Sequence, residues 1–324
     1  MKKSLRALSL SFLLIIAMGL GTFARAEYTT TPEKPAAPAE ATKPATAPAA
    51  ATAPAAVTPP TTEATPPAGM KLIPEDLIAD FNLSLYSQYI WRGYELSKDS
   101  VVIFPQLTVG YKGFAVTLWV DLDTSFKGSP DKEFKLQETD VIATYSNSYT
   151  PWKLNYTLGW ILYDYQPTSY QVIPPNALEQ ANGKAGRIPN TKTQEIFATL
   201  GLDTFLKPTL SIYQEIEKGH AWYFNLGISH SLPVYKNWTL DMALTASYMH
   251  NQNGNDPNLL ISAFHDGNLS VGLKIPINNY VSIKPNLQWS FPLSEAAANR
   301  IKYTSFTGHN NTFVYGGIIF DVAL

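Results

Sequence analysis

Charged side chains recur along this chain at a spacing of two, which on an extended strand places them on one face. Asp121 and Asp123 end one candidate strand, Glu138 and Asp140 begin the next, and Glu195 and Glu215 lie at comparable height on a later pair. Arg92 is the matching base on the first candidate strand, and Trp119 shares the face of Asp121. Toward the opposite ends Lys274 and Lys284 face the same way, with Asp80, Asp203, Asp241 and Asp321 nearby. Acidic rings bias permeation toward cations. The set therefore predicts an acidic outer vestibule over a narrow, weakly cation-preferring route for small polar or cationic solutes, lined by Arg92, Trp119, Asp121, Asp123, Glu138, Asp140, Glu195, Glu215, Lys274 and Lys284. Such charges also pair with one another and hold a wall in shape, and spacing alone does not separate the two roles.

Catalytic readings are weaker. Paired carboxylates such as Asp121 and Asp123 suit acid–base work, yet neighbours at i and i+2 are expected on any charged strand face. His220, His250, His265 and His309 fall in or beside candidate loops, away from a wall where serine and histidine would meet. No G-x-S-x-G or H-E-x-x-H motif occurs. The expectation is a protein that is not an enzyme, with no cofactor and no metal site; an outer-membrane hydrolase is the minor alternative.

The elements that must carry these residues repeat one pattern from Ala79 to Leu324: about ten residues of apolar–polar alternation, then a turn or loop. In the first, Phe81, Leu83, Leu85, Tyr89 and Trp91 share one face, and Asp80, Asn82, Ser84, Gln88 and Arg92 the other, with Gly93 closing it. A second strand reaches Tyr111, and Lys112-Gly113 turns it into Phe114, Val116, Leu118, Val120 and Leu122. Similar alternation recurs near 136 to 147, 154 to 165, 193 to 203, 208 to 215, 222 to 232, 238 to 248, 267 to 275, 281 to 291 and 312 to 324. The expected fold is all-β: an antiparallel transmembrane β-barrel of about twelve strands, preceded by a disordered Ala/Pro-rich linker.

Short connections near 112 to 113, 148 to 153, 204 to 207, 233 to 237 and 276 to 280 alternate with mostly longer ones, as periplasmic turns alternate with extracellular loops. Both termini are then periplasmic. Trp91 and Trp222 fall at predicted outer ends, and Trp152, Tyr235, Trp238 and Tyr280 at inner ends, where amphipathic rings favour the membrane interfaces. Two features fit poorly: Pro285 lies within a predicted strand, and His230 falls on the lipid-facing set.

Residues 1–26 read as a signal peptide, with Lys2, Lys3 and Arg6 before the apolar stretch Leu8 to Leu20 and Ala24-Arg25-Ala26 as cleavage site. Residues 27–70 are almost wholly Ala, Pro and Thr, a stiffened periplasmic tether that is either a plain spacer or a contact to peptidoglycan or a periplasmic partner. The barrel domain is 71–324, entered through a helical turn after Pro74-Glu75-Asp76. Loop Gln166 to Lys192 is long enough to fold inward over the mouth.

With no cysteine, the chain has no disulfide framework, thiol chemistry or lipoprotein anchor. A net charge of -2 provides no basic field for nucleic acid. A mean hydropathy of -0.09 suits strands that are apolar on one side only.

The stretch Ser87-Gln88-Tyr89-Ile90-Trp91-Arg92-Gly93 resembles the S-x-Y-x-W-R-G motif of the TorF-type putative porin family of proteobacterial outer-membrane proteins. The likeness continues through Pro105-Gln106, Tyr111-Lys112-Gly113-Phe114, Trp119, Glu138-Thr139-Asp140 and Tyr145. It implies an outer-membrane barrel with a channel role and no defined substrate. Val314, Ile318, Phe320, Val322 and Leu324 resemble the terminal strand that barrel-assembly machinery recognises, with leucine in place of the usual final phenylalanine. Expected partners are outer-membrane lipid, that machinery and small solutes; the alternative is a plugged barrel tethering the membrane to the periplasm or cell wall.

Overall fold

The computed structural model describes residues 77–97, 99–125, 134–165, 192–217, 219–252, 260–305 and 310–323. The signal peptide, the linker, the helical turn at 74–76, His309, Leu324 and nearly all of the 166–192 loop lie outside the described residues.

Among the described residues twelve antiparallel strands close into a barrel. They are β1 (Leu77–Tyr86), β4 (Val102–Tyr111), β5 (Phe114–Asp123), β6 (Lys135–Tyr149), β7 (Leu154–Tyr165), β8 (Lys192–Leu202), β9 (Thr209–Glu215), β10 (Trp222–Tyr235), β11 (Trp238–Asn251), β12 (Ile261–Pro276), β13 (Val281–Pro292) and β14 (Phe313–Ala323). Each strand pairs with its chain neighbours, and β1 pairs with β14 to finish the wall. The alternation read from the sequence is what the wall uses. On β5, Phe114, Val116 and Leu118 are exposed outward while Thr117, Trp119, Asp121 and Asp123 are buried inward. Leu107, Leu158, Leu200, Leu226, Leu244, Leu287 and Ile318 continue the exposed apolar band around the barrel. Every backbone group in such a wall is paired without a free edge, as a strand in hydrocarbon requires.

The connections alternate as expected. At one end the strands are joined by short turns, including Lys112-Gly113, whose positive φ values of 51 and 86 suit a two-residue type I′ turn. Trp152, Tyr235 and Tyr280 are exposed at this end, in agreement with an aromatic girdle. An even number of strands brings the start of β1 and the end of β14 to this same short-turn end.

Four local expectations are corrected. Leu77 and Ile78 are not part of a helical lead-in; they pair with Tyr111 and Gly110 as the start of β1. The first strand does not run to Gly93 but stops at Tyr86. Trp91 consequently leaves the membrane interface and is 1% exposed inside the lumen. Pro285 stays within β13 without a bulge: its pairing with Ile318 of β14 is kept, while the ladder to β12 is interrupted between Gly272↔Asn286 and Ile275↔Ile283, where its missing N–H would have donated. His230 keeps its expected place on the outward set at the short-turn end, its Nδ1 2.7 Å from the Phe205 carbonyl and its ring against that of Phe205.

Two further elements lie off the wall. Between β1 and β4, the short strands β2 (Ile90–Trp91) and β3 (Tyr94–Glu95) form a hairpin. Between β13 and β14 runs the helix α1 (Glu295–Thr304), whose N-cap Ser294 accepts from the Ala297 amide and donates to the Phe264 carbonyl at 2.6 Å. The hairpin and helix, with the inward aromatic residues at the long-loop end, make up the buried apolar cluster.

Candidate functional site

The hairpin is small and tightly specified. Its two central residues, Arg92 and Gly93, have φ values of 44 and 80, the same left-handed pair seen at Lys112-Gly113. A Cβ on Gly93 would stand 2.9 Å from Ile301 Cδ1 and 3.1 Å from Asp266 Cβ, so glycine answers both to conformation and to space. Tyr89 closes the base: its carbonyl accepts from Leu96 N and its amide donates to Ser97 Oγ. For Arg92 the left-handed region costs about 1 kcal/mol, and its side-chain contacts offset that strain.

Those contacts are extensive. The Arg92 guanidinium forks onto Glu195, Nη1 to Oε1 at 2.9 Å and Nη2 to Oε2 at 2.8 Å. Both side chains are more than nine-tenths buried. Tyr163 donates to the same carboxylate at 2.9 Å, fixing its plane. Three rings surround the cation, those of Tyr223, Trp91 and Tyr213, with centroids 4.2, 4.6 and 4.8 Å from Cζ. Burial alone would lower the Arg92 pKa, but the facing Glu195 carboxylate outweighs it and holds the guanidinium above the ordinary arginine range. The wall part of this cage is braced independently of the hairpin. Tyr223 donates to Asp266 Oδ1 at 3.0 Å, and Tyr213 stacks on Phe197, which in turn fills the space that a side chain at Gly159 would take.

Around the cage the lumen is filled. Tyr94 packs against His265 and donates to Met249 Sδ, while Arg300 of α1 donates to its hydroxyl. His265 Nε2 donates to the Arg92 carbonyl at 3.0 Å. On the other side of the hairpin Tyr89 contacts the stacked rings of Phe104 and Trp119.

Asp121, Asp123, Glu138, Asp140, Glu195 and Glu215, expected in the outer vestibule, do converge at the long-loop end, facing inward and buried. They do not form one open ring. Glu195 is committed to Arg92. Glu215 accepts from Thr193 Oγ1 and from the amides of Glu217, Gly219 and His220, which makes it the anchor of the loop after β9. Asp123 accepts from the Ser125 amide. Asp121, Glu138 and Asp140 lie together on β5 and β6 behind Tyr89, whose hydroxyl donates to Glu138 Oε2 at 3.2 Å. Among the described residues no cluster is placed to hold a metal ion.

The short-turn half of the lumen is built differently. Hydroxyl pairs bridge neighbouring strands: Thr108 with Thr117 and Ser146 with Thr157, each 2.8 Å, and Thr199 with Ser211, 2.9 Å. Lys284 pairs with Asp241 at 2.9 Å while half-exposed, and Lys274 is exposed. Arg92 alone among the predicted lining residues comes from a loop rather than from the wall.

Sequence reasoning passed over Tyr163, Tyr213, Tyr223, Asp266 and Arg300, and it set His265 in or beside a loop, whereas His265 lies buried on β12 of the wall. Their individual signals are faint, but Arg92-Gly93 between Tyr-Ile-Trp and Tyr-Glu-Leu is itself a two-residue hairpin signature, equal to that of Lys112-Gly113.

No protein-family model matches the chain, and no curated protein matches it in sequence. Solved structures similar to it are outer-membrane barrels. The NanC porin is 8% identical over 75% of this chain and 98% of that one, with a TM-score of 0.43. LpxR from Salmonella typhimurium is 8% identical over 75% and 99%, with a TM-score of 0.42. OmpT of Vibrio cholerae is 6% identical over 77% and 97%, with a TM-score of 0.36. These likenesses concern architecture alone. They also correct one expectation. An architecture shared with LpxR decides nothing about activity, so the sequence-based statement that this chain is not an enzyme does not stand.

Proposed function

We propose that the protein is an outer-membrane channel for small polar or cationic solutes, with the short-turn end and both termini in the periplasm, and that its own first loop holds it closed. One observation carries the reading. The inner half of the lumen is lined by hydroxyl and charged side chains of the wall, whereas the outer half is obstructed by elements borne on loops, the β2–β3 hairpin and α1. A wall that was meant to be solid would fill itself with its own side chains, as barrels of about eight strands do. The acidic side chains behind the hairpin favour cations at the constriction once it opens. The resemblance to TorF-type porins belongs to the same proposal, because the S-x-Y-x-W-R-G stretch is the hairpin itself.

Planar-bilayer recording tests this on the processed chain and on a variant in which residues 88 to 97 are replaced by a short Gly/Ser linker. The expected result is small or intermittent current for the first and a steady, cation-preferring current for the second under a salt gradient. Anion preference that Asp121→Asn with Glu138→Gln leaves unchanged would count against the reading.

The filled outer half also favours a second reading, a plugged barrel that tethers the membrane to peptidoglycan or a periplasmic partner. It predicts silence in both recordings and loss of peptidoglycan co-fractionation when residues 28 to 68 are deleted.

A further inference from the structure

Arg92 occupies a receptor that the wall would possess without it. Tyr163, Glu195, Tyr213 and Tyr223 sit on four consecutive strands, β7 to β10, and present one oriented carboxylate edge and two ring faces. This is the chemistry that distinguishes a guanidinium from other cations: a planar fork for two parallel hydrogen bonds, and π faces for a weakly hydrated plane. The cage reads only that far edge. Among the described residues Arg92 Nε has no hydrogen-bond partner, so no contact described in the site depends on what the third nitrogen carries. The occupant arrives on a strained turn and brings only Trp91 of the three rings with it.

We infer that this cage is a binding site for a small guanidinium-bearing solute, with Arg92 as its built-in occupant in the closed barrel. The inference takes its route of access from the channel reading above and adds the class of solute and the means of opening. Withdrawal of the hairpin strips Glu195 of its counter-charge and of both guanidinium hydrogen bonds, a costly step. A free guanidinium that replaces Arg92 removes that cost, and a ligand that binds only the withdrawn state shifts the population toward it. Because a tethered group competes at an effective concentration of about millimolar, free solute has to reach that range to displace Arg92.

Chemical rescue tests the site separately from conduction. The processed chain with Arg92→Ala is refolded in detergent and its thermal unfolding followed with and without millimolar methylguanidinium, methylammonium or sodium chloride. Methylguanidinium is expected to restore most of the lost unfolding temperature, methylammonium clearly less and sodium chloride none. Arg92→Ala combined with Glu195→Gln is expected to show no rescue. If Arg92→Ala does not refold alone, the yield of refolded barrel in each of the three salts replaces the unfolding temperature, with the same order expected. Equal effects of the three salts, or equal rescue in the double variant, overturn the inference. Rescue in a barrel that never conducts preserves the site and removes the channel reading; conduction without rescue does the reverse.

Discussion

The two halves of the lumen use opposite means to satisfy buried polar groups. Toward the short turns, neighbours on adjacent strands satisfy one another, as Thr108 does Thr117 and Thr199 does Ser211. Toward the long loops, the hairpin finds its partners far away in the chain: Arg92 reaches Glu195, Tyr94 reaches Met249, and His265 reaches the Arg92 carbonyl. The first arrangement needs only the wall. The second needs a separate piece of chain to arrive, so it can also be undone without opening the wall.

That contrast is broken most severely at Glu195. Glu195→Ala leaves the Arg92 guanidinium buried without its counter-charge, at a cost of about 3–5 kcal/mol. The hairpin should leave the lumen, and trypsin should then cut after Arg92, which is 6% exposed in the intact protein. Resistance equal to that of the unsubstituted chain would show that the ion pair does not hold the hairpin. Next in size is Gly93→Ala, which combines a φ of 80 with a 2.9 Å approach to Ile301 Cδ1. A loss of about 1–3 kcal/mol is expected, read as faster trypsin cleavage and a lower unfolding temperature.

Substitutions in the other half should weaken the wall and leave the hairpin seated. Thr199→Val strands Ser211 and is expected to cost about 1 kcal/mol in denaturant unfolding, while adding Ser211→Ala recovers part of it, with trypsin resistance unchanged throughout. Smallest is Lys284→Met: the partly exposed pair with Asp241 is screened by solvent and contributes about 0.5 kcal/mol or less, which a double-mutant cycle with Asp241→Asn would measure.

The barrel was legible because its physics is local. Alternation decides which face meets lipid, and two-residue turns decide register, so the strands around Lys112-Gly113 were found with nearly their observed bounds. The hairpin carries the same turn chemistry at Arg92-Gly93, yet the alternation from Phe81 to Leu85 is interrupted only at Tyr86-Ser87 before Tyr89 and Trp91 resume it, and the whole reads as one long strand. What ends the strand is the space inside the barrel and the carboxylate waiting there, which no short window contains. For the same reason the acidic residues were placed on the correct face but their partners were not. Glu215 as a loop anchor and Glu195 as a counter-ion depend on which backbone amides and which distant arginine come near.

The hairpin hangs from the link between β1 and β4, the helix from the link between β13 and β14, and β1 and β14 lie side by side. Both obstructing pieces therefore border a single seam, joined by the first and last strands of the polypeptide. That pairing spans the greatest sequence separation in the molecule and so carries the largest loop-closure entropy, which makes it a late event. Both obstructing pieces thus border the join that the wall completes last.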